Sequence, residues 1–116
     1  MRKTFAIIIV AACVQLAFTE SETVNGVTWY YSTYSEGGKT CAQITSGADK
    51  YAGDLTVPST LGGYQVRRIG YIAFDNCSGL TGITLPPGIT RIENYAFHNC
   101  SGLLNVSLPN TLTYIG

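Results

Sequence analysis

Ile69-Gly-Tyr-Ile-Ala-Phe-Asp-Asn-Cys-Ser-Gly-Leu-Thr-Gly-Ile-Thr-Leu-Pro-Pro-Gly-Ile-Thr-Arg91 is followed without interruption by Ile92-Glu-Asn-Tyr-Ala-Phe-His-Asn-Cys-Ser-Gly-Leu-Leu-Asn-Val-Ser-Leu-Pro-Asn-Thr-Leu-Thr-Tyr114. The second stretch repeats the first at an offset of 23 residues, and Ile115-Gly116 opens a third copy. A fixed period of this size marks a solenoid: one coil cannot bury its apolar residues alone, so neighbours stack. The fold class predicted is a short repeat solenoid, mostly β with one-turn helices, preceded by an N-terminal β-hairpin cap. A stacked array displays a surface more readily than it encloses a pocket, which biases function towards binding.

Roles within a coil follow from periodicity. Ile83-Thr-Leu-Pro86 and Val106-Ser-Leu-Pro109 alternate apolar and polar residues, so each reads as a short strand with one face buried, ended by a proline that cannot donate to a ladder. Thr90-Arg-Ile92 and Thr113-Tyr-Ile115 read as a second short strand on the opposite side. Tyr95-Ala-Phe-His-Asn-Cys100 reads as one turn of helix that places Ala96, Phe97 and Cys100 inward. On that register Phe97→Ala costs about 3–5 kcal/mol. Eleven positions are identical in the two copies, among them Ile69/Ile92, Ala73/Ala96, Phe74/Phe97, Cys77/Cys100 and Leu85/Leu108, and these are what the stack needs. Asp75/His98, Gly82/Asn105 and Arg91/Tyr114 differ, as outward positions can. The candidate binding residues are those on the exposed strand face: Thr56, Gly82, Thr84, Asn105 and Ser107.

Upstream, Asn25-Gly26 is a tight-turn pair. Val27-Thr-Trp-Tyr-Tyr-Ser-Thr-Tyr34 is rich in aromatic and β-branched residues, Glu36-Gly-Gly-Lys39 is a turn, and Thr40-Cys-Ala-Gln-Ile-Thr45 is the returning strand. Trp29 and alternate tyrosines of this hairpin are expected to cover the end of the solenoid. Gly53-Asp-Leu-Thr-Val-Pro58 is a degenerate repeat start, with the extra residues of its coil in the loop 59–66. The organisation read from the chain is a signal peptide over 1–21, the hairpin cap over 22–52, and repeats over 53–116. The repeats divide into an irregular coil 53–68, regular coils 69–91 and 92–114, and a truncated start 115–116.

Lysine plus arginine and aspartate plus glutamate number seven each, with Arg2 and Lys3 in the leader, so the remainder is slightly acidic and lacks the basic footprint of nucleic-acid binding. Arg2-Lys3 followed by the apolar run from Phe5 to Val14 has the layout of an export signal. The run is too short for a membrane span, which needs about 20 apolar residues, and no second one follows. Val10-Ala-Ala-Cys13 resembles a bacterial lipobox, with Cys13 then lipidated; cleavage between Ala17 and Ser21 instead fits the apolar residues that continue to Phe18.

The pattern Ala-Phe-x-x-Cys-Ser-Gly-Leu-x-x-(Ile/Val)-x-Leu-Pro at 73–86 and 96–109 resembles the BspA-like leucine-rich repeat family of surface proteins. The segment 51–66 leading into Arg67-Arg68-Ile69-Gly70 resembles the start of such arrays, and the tyrosine-rich hairpin resembles their N-terminal cap. The resemblance implies an exported, often cell-surface protein that takes part in adhesion and binding.

Motifs for chemistry are absent from the sequence. His98, the only histidine, has Asp75 as its counterpart one coil earlier and reads as an exposed variable residue. No Cys-x-x-Cys pair supplies a zinc site, which needs four ligands. Asp49 and Asp54 are scattered acids, read as solvated rather than as a calcium site. No cofactor is expected. Export favours disulfides, and stacking brings Cys77 and Cys100 within bonding range; parallel side chains on adjacent coils suit a buried thiol ladder, and both states stay open. The function expected is protein or glycan binding without catalysis at the cell surface or in secretion. The partners expected are an extracellular protein or glycan, no nucleic acid, and a second copy through the uncapped last coil. The alternative is a structural cap fragment of a longer array.

Overall fold

The computed structural model of the chain describes the backbone of residues 3–10, 15–47 and 51–116, and the side chains of residues 20–47 and 51–116. The lipidation candidate Cys13 and the acid Asp49 lie outside the described residues. Strand β1 (Lys3–Val10) pairs antiparallel with β2 (Gln15–Val24). Two tight turns then join β2 to β3 (Val27–Glu36) and β3 to β4 (Lys39–Gly47). Asn25-Gly26 and Gly37-Gly38 hold the turns, all four at φ between 52° and 80°; two successive positive φ values match the twist of the flanking strands, which is why such pairs sit here.

The coils follow. Strand β5 (Gly53–Thr56) pairs parallel with β8 (Leu80–Thr84), and β8 with β10 (Asn105–Ser107). On the other side β7 (Tyr64–Ile69), β9 (Arg91–Ile92) and β11 (Tyr114–Ile115) pair in parallel, and β4 of the hairpin pairs parallel with β7. The hairpin thus continues the solenoid sheet edge to edge. The extra residues of the irregular coil form a small hairpin, in which β6 (Thr60–Leu61) turns back antiparallel on β7. The repeat strands start earlier than the alternation alone predicts, β8 ending at Thr84, two residues before the proline.

The expected one-turn helices are not there. The described residues hold strands and turns only. The amides of Ala73, Asp75 and Cys77 donate to the carbonyls of Gly70, Ile72 and Phe74 within the coil, while those of Ile72, Phe74 and Asn76 donate to Asn94, Ala96 and His98 of the next coil. A helix would keep every amide inside its own coil. Ile72, Asn76, Tyr95 and Asn99 interrupt it at φ between 52° and 60°, a region that non-glycine residues, and β-branched ones above all, seldom enter. The gain is an inter-coil ladder on a third side. The inward register is nevertheless the expected one: Ala73, Phe74 and Cys77 are buried, as is Ala96.

An aromatic column runs through the core. Trp29 from the cap meets Phe74 edge-on at 6.0 Å between centroids, and Phe74 stacks on Phe97 at 5.2 Å. Trp29 and Tyr31 are fully buried while Tyr30 is exposed, so the hairpin seals the solenoid with one face, as its alternation predicts. Trp29 lies opposite Gly47, where a Cβ would come within 2.8 Å of the indole. No disulfide joins any two of the described cysteines, Cys41, Cys77 and Cys100. The Cys100 thiol donates to the Phe74 carbonyl at 3.0 Å, and burial pushes its pKa up.

Candidate binding face

Parallel pairing, in constant register once past a shift between Gly53 and Asp54, puts like positions of successive coils side by side. One row on the outer face of β5–β8–β10 is Asp54, Gly82 and Asn105, and the next is Thr56, Thr84 and Ser107. The rows are two residues apart along each strand, so they share a face, while Leu55 and Ile83 between them point into the core. Thr56, Thr84, Asn105 and Ser107 are exposed as expected. Gly82 is not: it is buried, because the Asp54 carboxylate lies across it and would sit 2.6 Å from any Cβ there. Its role is therefore to make room. The Thr81 hydroxyl donates to Asp54 Oδ1 at 3.0 Å and fixes the carboxylate in that place.

The missing side chain leaves a shallow hollow of about 220 Å³ rimmed by Asp54, Thr84, Asn105 and Ser107. A second, of about 250 Å³, continues the face towards the cap past Thr56, Tyr51 and Asn25. The Tyr51 hydroxyl donates to the Asp54 carbonyl at 2.8 Å and ties the two hollows together. Asp54, Tyr51 and Asn25 were not among the residues expected on this face. Asp54 was legible, since it aligns with Gly82 at the same 28-residue offset that matches Leu55 to Ile83. Tyr51 and Asn25 come from outside the repeat and carry no such signal. The face offers hydroxyls and carboxamides, which both donate and accept, and one carboxylate, which accepts only.

The other faces carry charge. A bulge at the start of the β4–β7 pairing lets consecutive Arg67 and Arg68 both reach Glu36, at 3.4 and 2.8 Å. Arg68 also lies over the Tyr34 ring at 4.0 Å, and one coil on Arg91 lies over Tyr114 at 4.1 Å and pairs with Glu93 at 2.7 Å. The hydrogen bond from Arg68 holds the Glu36 carboxyl below its ordinary range, and that from Arg91 does the same for Glu93. On the turn side His98 Nδ1 is 2.9 Å from Asp75 Oδ1. His98 is exposed, as expected, but it is not independent of Asp75: a 23-residue repeat sets the two counterparts against each other across coils. No group of three His, Cys, Asp or Glu side chains that could hold a metal occurs among the described residues. Among them, too, no helix is long and apolar enough to cross a membrane, which says nothing of a β-barrel.

Residues 54–116, which form these coils, match the family model described as BspA type leucine rich repeat region (6 copies). The chain belongs to this family. A search of curated protein sequences finds no match. Among solved structures, this BspA-type repeat chain is similar to the leucine-rich repeat protein of T. pallidum, at 26% identity and a TM-score of 0.65, over 73% of this chain and 39% of that one. A leucine-rich repeat protein from Bacteroides ovatus aligns at 27% identity and a TM-score of 0.61, over 72% of this chain and 23% of that one. One from Bacteroides capillosus aligns at 27% and 0.66, over 82% and 70%. The chain therefore spans well under half the length of the first two.

Proposed function

We propose that this BspA-type repeat chain is an exported module, secreted or held at the cell surface, that binds another protein through the outer face of β5–β8–β10 and performs no catalysis. The observation that carries the reading is the pair of in-register rows across three strands: Thr56/Thr84/Ser107, polar throughout, and Asp54/Gly82/Asn105, whose two polar side chains flank the hollow at Gly82. Family membership supports protein binding as the class of activity. The face is small against the roughly 800 Å² per partner of a standard interface, so affinity from this module alone is modest. The test is a binding screen of the purified protein against a panel of purified extracellular proteins, with Thr84→Arg and Asn105→Arg as face variants. Both variants abolish capture while leaving the melting temperature unchanged. A partner that binds the variants as well as the wild type removes this face from the reading, and a turnover activity in the purified protein removes the non-enzymatic part.

A second reading rests on the edge formed by β10 and β11. Leu104 is 81% exposed and Ile115 60%, and Val106 and Leu108 are also exposed, whereas their first-coil counterparts Ile83 and Leu85 are buried. A further coil fits this edge. In a second copy of the chain it would make association concentration-dependent; light scattering across a hundredfold dilution checks this, and an unchanging monomer mass excludes it.

A further inference from the structure

The inference concerns where the exported chain is cut, and it rests on the export part of the proposed function. Small residues at the last and third-last positions of a leader suit its removal. From Cys13 to the first turn the sequence offers four such bonds: after Cys13 with Ala11, after Thr19 with Ala17, after Ser21 with Thr19, and after Thr23 with Ser21. Strand β2 separates them. Its residues Gln15–Thr19 pair only with β1, that is, with the leader itself. Glu20 to Glu22 also pair with β1, but from Glu20 onward β3 of the cap holds the strand as well, in the register Glu20↔Tyr31 to Val24↔Val27.

Side chains change at the same point. The Tyr31 hydroxyl, wholly buried, donates to Glu20 Oε2 at 2.7 Å. Ser21 is buried, and Glu22, only 4% exposed, accepts the Gly62 amide at 2.7 Å, tying β2 to the turn of the irregular coil 40 residues away. A cut after Ser21 strips the Tyr31 hydroxyl of its acceptor and leaves Glu22 as a free, charged terminus at a buried position, and a cut after Thr23 removes Glu22 and its bond to Gly62 as well. A cut after Cys13 removes β1 but keeps Leu16, Ala17 and Phe18 on a strand that has just lost its partner, an aggregation hazard. A cut after Thr19 discards every residue that the leader alone holds and none that the cap holds.

We infer that the Thr19–Glu20 bond is the processing site, and that the mature protein begins at Glu20. A leader peptidase of the exporting cell hydrolyses the amide: the C–N bond breaks, the hydroxyl of water goes to the Thr19 carbonyl carbon, and its proton to the Glu20 nitrogen. The retained piece of β2, residues 20–24, becomes an outer strand that is short and bears Glu20 and Glu22, two of the devices that keep edges from pairing.

The test is expression of the full-length chain in a Gram-negative bacterium, followed by fractionation, intact mass and N-terminal sequencing of each fraction, for the wild type and for Thr19→Arg. The expected result is an exported wild-type protein that has lost residues 1–19 and begins at Glu20, with uncut precursor accumulating for Thr19→Arg. An exported protein that begins at another residue, or carries lipid on Cys13, overturns the site while the export reading stands. A variant cut at the same bond to the same extent also overturns it. Uncut protein confined to the cytoplasm overturns both.

Discussion

The coils 69–91 and 92–114 share eleven residues at equal spacing, yet they do not share an environment. Phe74 is fully buried and Phe97 only half; Cys77 is buried and Cys100 half-exposed; Leu85 is 4% exposed and Leu108 47%. The first coil lies between the cap and its copy, the second against its copy alone. Burial in a stacked protein is thus conferred by neighbours, and one side chain is worth different amounts in different coils. The same contrast appears in what cannot be repeated. Gly70 meets the Ile44 carbonyl of β4, 2.6 Å from where a Cβ would stand, whereas Glu93, its counterpart, follows another coil and carries a full side chain.

Substitutions can break this comparison. Phe74→Ala costs about 3–5 kcal/mol, close to the whole stability of a small domain. Phe97→Ala, made at a half-buried site, costs about 1–2 kcal/mol at the area coefficient for apolar surface. Urea unfolding of the two variants checks the order, and equal losses would mean the cap does not complete the first coil. Glu22→Ala leaves the Gly62 amide without its acceptor and costs about 1–3 kcal/mol, with Glu22→Gln losing less because its carbonyl can still accept. Gly70→Ala costs about 1–3 kcal/mol as overpacking against rigid backbone, and Glu93→Ala in the next coil stays within about 1 kcal/mol as loss of a part-exposed ion pair. Thermal melts in one buffer compare them directly.

The smallest effect is electrostatic. Hydrogen bonds from Arg68 and Arg91 hold Glu36 and Glu93 below the ordinary carboxylate range. Their contribution is complete above the unfolded value of about 4.3 and is lost as pH falls through the lower folded values, so acid weakens the fold below about pH 4. Arg68→Met weakens that acid dependence at the cap–coil junction, where Arg67 still pairs with Glu36, and Arg91→Met weakens it between coils. Urea midpoints at pH 3 and pH 6 read the change. His98→Ala, exposed beside Asp75, shifts the midpoint least of all.

The repeat made the coil roles legible because identity between copies marks what faces inward. The hairpin turns were legible because Asn-Gly and Gly-Gly admit positive φ at both positions. The turn conformation at 71–76 and 94–99 was not: nothing local announces that Ile72 and Tyr95 take φ above 50°. Ile72 donates to a coil 22 residues away, a tertiary hydrogen bond that overrides local preference, and Tyr95 takes the same conformation on the accepting side of that ladder. The candidate face was legible for Thr56, Thr84, Asn105 and Ser107, which alternation points outward. The burial of Gly82 was not, because it depends on where the Asp54 carboxylate lies.

The inter-coil ladder on the turn side has a direction. Ile72, Phe74 and Asn76 all donate towards the second coil, and its carbonyls receive them. A third coil would be met by the amides of Tyr95, Phe97 and Asn99 in the same sense. Two copies joined by a two-fold axis through this end would set amide against amide, so that symmetric pairing is chemically mismatched. Only an addition in the same sense matches donor to carbonyl, so the ladder gives this edge a polarity that suits a further coil and not a two-fold partner.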